Sequence, residues 1–142
     1  IFVFNGVYMR TAARETLFKI VFAGQFNSDC GESFKSAMYK GEKLTDADIS
    51  YCESILKIIN EHKEEFAKTL DSHSKLFPES RLFPADRSIL FVALAEILYF
   101  DEVPDAVSVN EAANIASKYS SAKSASFLSG ILSEIIREKG NV

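Results

Sequence analysis

Apolar residues recur at three- and four-residue steps along most of the chain. That is the spacing of one helix face rather than of a strand. From Thr11 to Gln25, the residues Leu17, Phe18, Ile20, Val21 and Phe22 follow two alanines, and the pattern predicts a mostly buried helix with Gly24 near its end. Ser33 to Lys40 reads as a short second helix closed by Gly41. Thr45 reads as an N-cap, with Asp46 and Asp48 in the first turn where carboxylates meet the positive end of the helix dipole. Ile49, Cys52, Leu56, Ile59, Phe66 and Leu70 then form one long helix or two joined near Asn60. "LFPESRLFP" carries two prolines and reads as a connector. Asp86 caps or opens "RSILFVALAEILYF", which is apolar nearly all round and so predicts a central buried helix.

"VPDAVSVNEAANIASKY" follows that run. It reads as a loop at Pro104, then an S-x-x-E capping box of Ser108 and Glu111, then a helix through Ala112, Ala113, Ile115 and Ala116 to about Tyr119. "SSAKSAS" is a polar joint, and Phe127, Leu128, Ile131, Leu132, Ile135 and Ile136 mark the last helix. The sequence has no sustained strand alternation, hairpin dipeptide or internal repeat. The expected class is all-α, with about seven helices.

At 142 residues the chain fits one domain or two small lobes. With 47% hydrophobic and 25% charged residues it is too apolar for a disordered chain. A chain of this length buries roughly two-thirds of its unfolded surface and needs no staples. Cys30 and Cys52 form no CxxC pair and are expected as reduced, partly buried thiols in a cytoplasmic protein. No apolar run reaches the length of a membrane span. "IFVFNGVY" has neither the basic flank nor the cleavage site of a signal peptide, and residues 1–8 are expected to be an upstream extension before Met9.

The net charge of −4 argues against a strongly basic nucleic-acid binder, but it is unevenly spread. Residues 1–40 and 112–142 each carry +2, while 41–111 hold seven basic against fifteen acidic residues. Candidate chemistry is sparse. His62 and His73 would lie roughly 16 Å apart on an unbroken helix, too far to share a metal, and read as solvated surface residues. Glu61, Glu64 and Glu65 beside His62 lack the second histidine of a zinc motif and read as a solvated charged face. No serine or cysteine sits in a nucleophile motif, so neither enzyme chemistry nor a metal or cofactor is expected. Arg10 and Arg14, four residues apart, share a helix face with Lys19 close by. They read either as a phosphate clamp or as ordinary solvated arginines.

"EVPDAVSVNEAANIASKYSSAKSASFLSGILSEI" resembles a stretch of the NusB family of transcription antitermination factors, with Val103-Pro104, Asn110-Glu111-Ala112, Ser124, Phe127 and Gly130 in register. "RLFPADRSILFVALAEILYF" and "RTAARETLFKIVFAGQF" resemble two upstream family segments, so the likeness runs from about Met9 to Ile136. The resemblance implies two small three-helix bundles with an extra helix, an N-terminal lobe at about 9–77 and a C-terminal lobe at about 78–139, within one RNA-binding domain over 9–142. It implies a non-catalytic factor, monomeric or homodimeric, that binds single-stranded boxA RNA of ribosomal leaders together with the ribosomal protein NusE and acts on the RNA polymerase elongation complex. The family's arginine cluster falls on Arg10 and Arg14, its helix-end aromatic on Phe22, and its RNA-proximal joint on Lys123, Ser124 and Ser126, followed by Phe127. Together with Lys19 these are the expected RNA contacts. Family arginines are replaced by Thr11 and Phe91, a family acid by Lys123 and a family lysine by Ser126. Two other readings remain: an accessory domain of a ribosomal RNA cytosine methyltransferase, and a helical scaffold without RNA binding.

Overall fold

A computed structural model of the chain describes residues 10–26, 31–73 and 82–140. The expectations for residues 1–8, Cys30 and most of the proline connector fall outside them. The described residues form six helices and no strand: α1 (Thr11–Gly24), α2 (Glu32–Gly41), α3 (Asp46–His73), α4 (Pro84–Tyr99), α5 (Asp105–Tyr119) and α6 (Ala122–Gly140). The expected seventh element is accounted for by α3, whose helical dihedrals break at His62 (φ −124°, ψ 20°), two residues past Asn60.

α4 is the centre. Every residue from Ser88 to Ile97 is buried, and the helix packs on α1, α3, α5 and α6. Its flanking helices each turn one apolar stripe towards it: Ala13, Leu17 and Phe18 from α1, Ile55, Ile59, Phe66 and Leu70 from α3, Ala112, Ile115 and Ala116 from α5, and Leu128, Leu132 and Ile135 from α6. Each fully buried Leu, Ile or Phe contributes about 1.5–3 kcal/mol. Phe91, at a family arginine's position, belongs to this core; it meets Phe66 edge-on with centroids 5.9 Å apart, and the Arg87 guanidinium lies 4.4 Å from its ring centre. Cys52 is buried on α3 with its thiol 3.6 Å from the Ala13 carbonyl, and burial pushes that thiol up to about 12.

Helix starts follow local side-chain chemistry at two places. The Asp48 amide donates to Thr45 Oγ1 (3.1 Å) and the Thr45 amide donates to the Asp48 carboxylate (3.4 Å), a reciprocal cap of α3. The Ser124 amide donates to Ser121 Oγ (3.0 Å), capping α6. The Ser108–Glu111 capping box is not formed. Pro104 is the residue before α5, the helix begins at Asp105, and Ser108 and Glu111 lie buried inside it. Asp86 does not cap α4 either; Pro84 opens the helix, and Asp86 is buried in its first turn.

The histidines also differ from expectation. His62 stacks on Tyr99 (3.9 Å, 15°) with Nδ1 3.2 Å from Glu65, whose carboxylate also accepts from the Tyr99 hydroxyl. His73 Nδ1 lies 2.9 Å from the Thr69 carbonyl and Nε2 2.8 Å from Glu138 of α6. Both partners are acceptors, so the geometry suits the doubly protonated ring.

Candidate nucleic-acid interface

α1 and the residue before it carry half of the expected contacts, and the structure divides these into two groups. At its start Arg10 takes a left-handed conformation (φ 42°, ψ 41°), and its carbonyl accepts the first helical hydrogen bond from the Arg14 amide. The Arg10 guanidinium lies 4.9 Å from the centre of the Tyr51 ring. Arg14 is not on the surface: it is 1% exposed. Its Nε and Nη2 donate to Glu96 (3.0 and 2.7 Å), and its Nη1 donates to Glu111 (3.1 Å). Thr11 Oγ1 adds a bond to Glu111 (2.7 Å) and the Tyr51 hydroxyl one to Glu96 (2.9 Å). Burial alone would lower the Arg14 pKa, but the hydrogen bond it donates to Glu96 and the negative charges of Glu96 and Glu111 raise it. Burial, followed by the Glu96 charge, also pushes the Tyr51 phenol well up. Arg14 therefore joins α1 to α4 and α5 and does not form half of a surface clamp. An arginine whose fork is filled by two buried carboxylates has no face to offer a phosphate.

The second group lies at the other end of α1, roughly 18 Å further along at 1.5 Å per residue. Phe22 is 36% exposed and Phe26 66%. They continue a ladder whose inner rung is the buried Phe18, with centroids 6.1 Å apart for Phe18–Phe22 and 5.2 Å for Phe22–Phe26. Tyr119, at the end of α5, packs on Phe18 at 5.2 Å and is half-exposed. The Lys19 and Lys118 ammonium groups lie 5.6 and 5.3 Å from the Tyr119 ring centre. Gln25 ties this end of α1 to the start of α4, donating to the Pro84 carbonyl (2.8 Å) and to Ser88 Oγ. Phe83, the residue before α4, is 70% exposed. The start of α6 joins the same place: Ser124 Oγ donates to Asp86 (3.0 Å) and is itself buried, whereas Lys123 and Ser126 are exposed and Phe127 is half-buried against the core. Ser124 thus positions the joint, with its hydroxyl already committed to Asp86.

Four helix ends therefore converge under four exposed aromatic rings, with Lys19, Lys118 and Lys123 on the same elements. Phe26, Phe83, Lys118 and Tyr119 are additions to the sequence-derived set. The i, i+4, i+8 spacing of Phe18, Phe22 and Phe26 was a signal for the first; the others depend on tertiary packing. A separate cleft of about 380 Å³ opens on another face of α1, lined by Ile20, Val21, Leu56, Ile59, Lys35 and Arg87 among others, without a nucleophile–base pair. Among the described residues no group of three or more His, Cys, Asp or Glu is placed to hold a metal, and no helix is long and apolar enough to cross a membrane.

Among the described residues the protein is all-helical, and one surface carries exposed rings and lysines. The NusB family model matches residues 9–137, and the chain belongs to the NusB family. It is 33% identical over 132 residues to the transcription antitermination protein NusB of Methylacidiphilum infernorum, covering 92% of each chain. It is 30% identical over 132 residues to that of Finegoldia magna, covering 93% of this chain and 96% of the relative. Its fold is similar to that of T. maritima NusB (TM-score 0.80, 23% identity, 91% of each chain). A crystal structure of the antitermination factors NusB and NusE in complex with dsRNA is similar too (TM-score 0.81, 19% identity, 92% of this chain and 97% of that one). The family is one of transcription antitermination proteins, not of enzymes.

Proposed function

We propose that this protein binds single-stranded boxA-type leader RNA together with NusE and acts on elongating RNA polymerase to suppress termination. The observation that carries the reading is the aromatic ladder of Phe22 and Phe26 beside Tyr119, flanked by Lys19 and Lys118, with Lys123 exposed at the start of α6. Unpaired bases stack on such rings, and lysines neutralise the phosphates between them. Arg10 lies at the far end of α1 and contributes charge there. With few cations on the face, binding by this protein alone is modest and a partner strengthens it. The acidic outer side of α3, with Glu61, Glu64 and Glu65 exposed, suits a basic ribosomal protein such as NusE. The curated relatives matched are named transcription antitermination proteins, which supports this reading.

The test is a fluorescence-anisotropy titration of a boxA-like RNA at two salt concentrations, with and without the cognate NusE. Binding that tightens with NusE, weakens with salt and falls about tenfold or more in Phe22→Ala and Lys123→Glu is the expected result. A folded protein that binds RNA in no condition is a scaffold, and the RNA reading falls.

A further inference from the structure

The surface of rings and lysines contains an anion of its own. Glu15 Oε1 accepts a hydrogen bond from Lys118 Nζ at 2.8 Å and another from the Tyr119 hydroxyl at 2.6 Å. Lys19 and Lys118 both stand beside the Tyr119 ring, and that ring continues through Phe18 to Phe22. The Lys118 and Tyr119 hydrogen bonds hold the Glu15 carboxyl below its usual range, so it is charged at neutral pH. An ammonium group and a phenolic hydroxyl converging on one anionic oxygen are also what a phosphate oxygen asks for. Lys118 is largely exposed, so this contact is open to exchange with a solvated anion.

We propose that Lys118 and Tyr119 form a seat for one nucleotide of single-stranded RNA, its phosphate on Lys118 and its base on the Tyr119 ring, and that Glu15 fills this seat in the free protein until an RNA phosphate displaces it. The inference rests on the RNA reading above and extends the ladder by one position. Glu15 then limits affinity: each binding event first breaks its contacts. Removing its charge spares that step and leaves Lys118 ready for the phosphate.

The experiment titrates a fluorescently labelled single-stranded RNA of about twelve nucleotides against the wild type, Glu15→Gln, Lys118→Gln, Tyr119→Ala and the Glu15→Gln/Lys118→Gln double variant. Melting curves serve as a check of folding. Glu15→Gln is expected to tighten binding several-fold, and this gain is expected to vanish in the Lys118→Gln background. Lys118→Gln alone is expected to flatten the dependence of log Kd on log salt by about 0.7, the contribution of one phosphate on a single strand. Tyr119→Ala is expected to weaken binding about tenfold, within the range for one lost base stack. A Glu15→Gln protein that melts normally but binds no tighter overturns the seat, as does a gain that survives Lys118→Gln. Wild-type binding that responds to Phe22→Ala and not to these variants overturns the seat alone. RNA binding by none of the proteins overturns the RNA reading and the seat with it.

Discussion

Arg14 has 1% of its surface exposed and two carboxyl groups to serve. Burying such a group is tolerable because Glu96 is met by a two-pronged fork and Glu111 by a third N–H. Arg14→Ala leaves both acids without that donor and is expected to cost about 3–5 kcal/mol, a large share of a typical 5–15 kcal/mol total; urea unfolding reads this directly. Arg14→Lys keeps the charge but loses the fork, and a smaller loss is expected. The sequence alone does not distinguish Arg14 from a surface arginine four residues after Arg10. A clue lay elsewhere, in Glu96 inside the apolar run "ALAEIL", because an acid on a fully buried helix requires a cation. His73 provides a pH-dependent counterpart. Burial lowers its pKa, but the hydrogen bond to the Thr69 carbonyl and the contact with Glu138 leave it raised above the ordinary 6.5. Protons therefore bind the folded state more tightly than the unfolded one. The stabilisation is complete below about pH 6.5 and is lost as pH rises through the raised value. Melting wild type and His73→Gln from pH 5 to 9 should show a gap on the order of 0.5–1 kcal/mol at the acid end that closes towards the alkaline end.

Helix capping shows how one sequence signature has two outcomes. Thr45-x-x-Asp48 forms its reciprocal cap, while Ser108-x-x-Glu111 does not. The difference is Pro104, which sets a helix start one turn earlier and carries Ser108 and Glu111 into the helix body. There Glu111 turns to Arg14, and Ser108 Oγ is buried without a hydrogen-bond partner. The two serine and threonine positions should therefore respond in opposite ways. Thr45→Ala is expected to cost about 1 kcal/mol through the lost cap. Ser108→Ala removes an unsatisfied buried hydroxyl and is expected to be neutral or slightly stabilising. Denaturant midpoints of the two variants decide it, and a loss of about 1 kcal/mol in Ser108→Ala would contradict the helix start at Asp105. The existence and order of the helices were legible because long apolar periods survive tertiary packing. The break in α3 was legible only roughly, because the stacking of His62 on Tyr99 joins residues 37 positions apart.

At the scale of the molecule, α4 was the clearest element in the sequence because a helix apolar all round has no other place to go. The face was less legible. Phe22, Lys19 and Lys123 could be named, but Phe83 reaches it because Gln25 meets Pro84, and Lys118 and Tyr119 because Tyr119 packs on Phe18. The face is cationic although the whole chain carries −4, and its three lysines set the ionic response. Log Kd for single-stranded RNA is expected to rise with log salt with a slope of about 2, well below that of strongly basic binders, and a slope far above it would mean that the contacts extend beyond this face. The arginine that joins α1 to α4 and α5 also has a consequence for synthesis. Its partners stand 82 and 97 residues downstream. While the chain emerges from the ribosome, α1 is made before either partner, and its guanidinium waits until about half of α5 has been made before both acceptors exist. A helix made well before its partners thus reaches its final environment only after them.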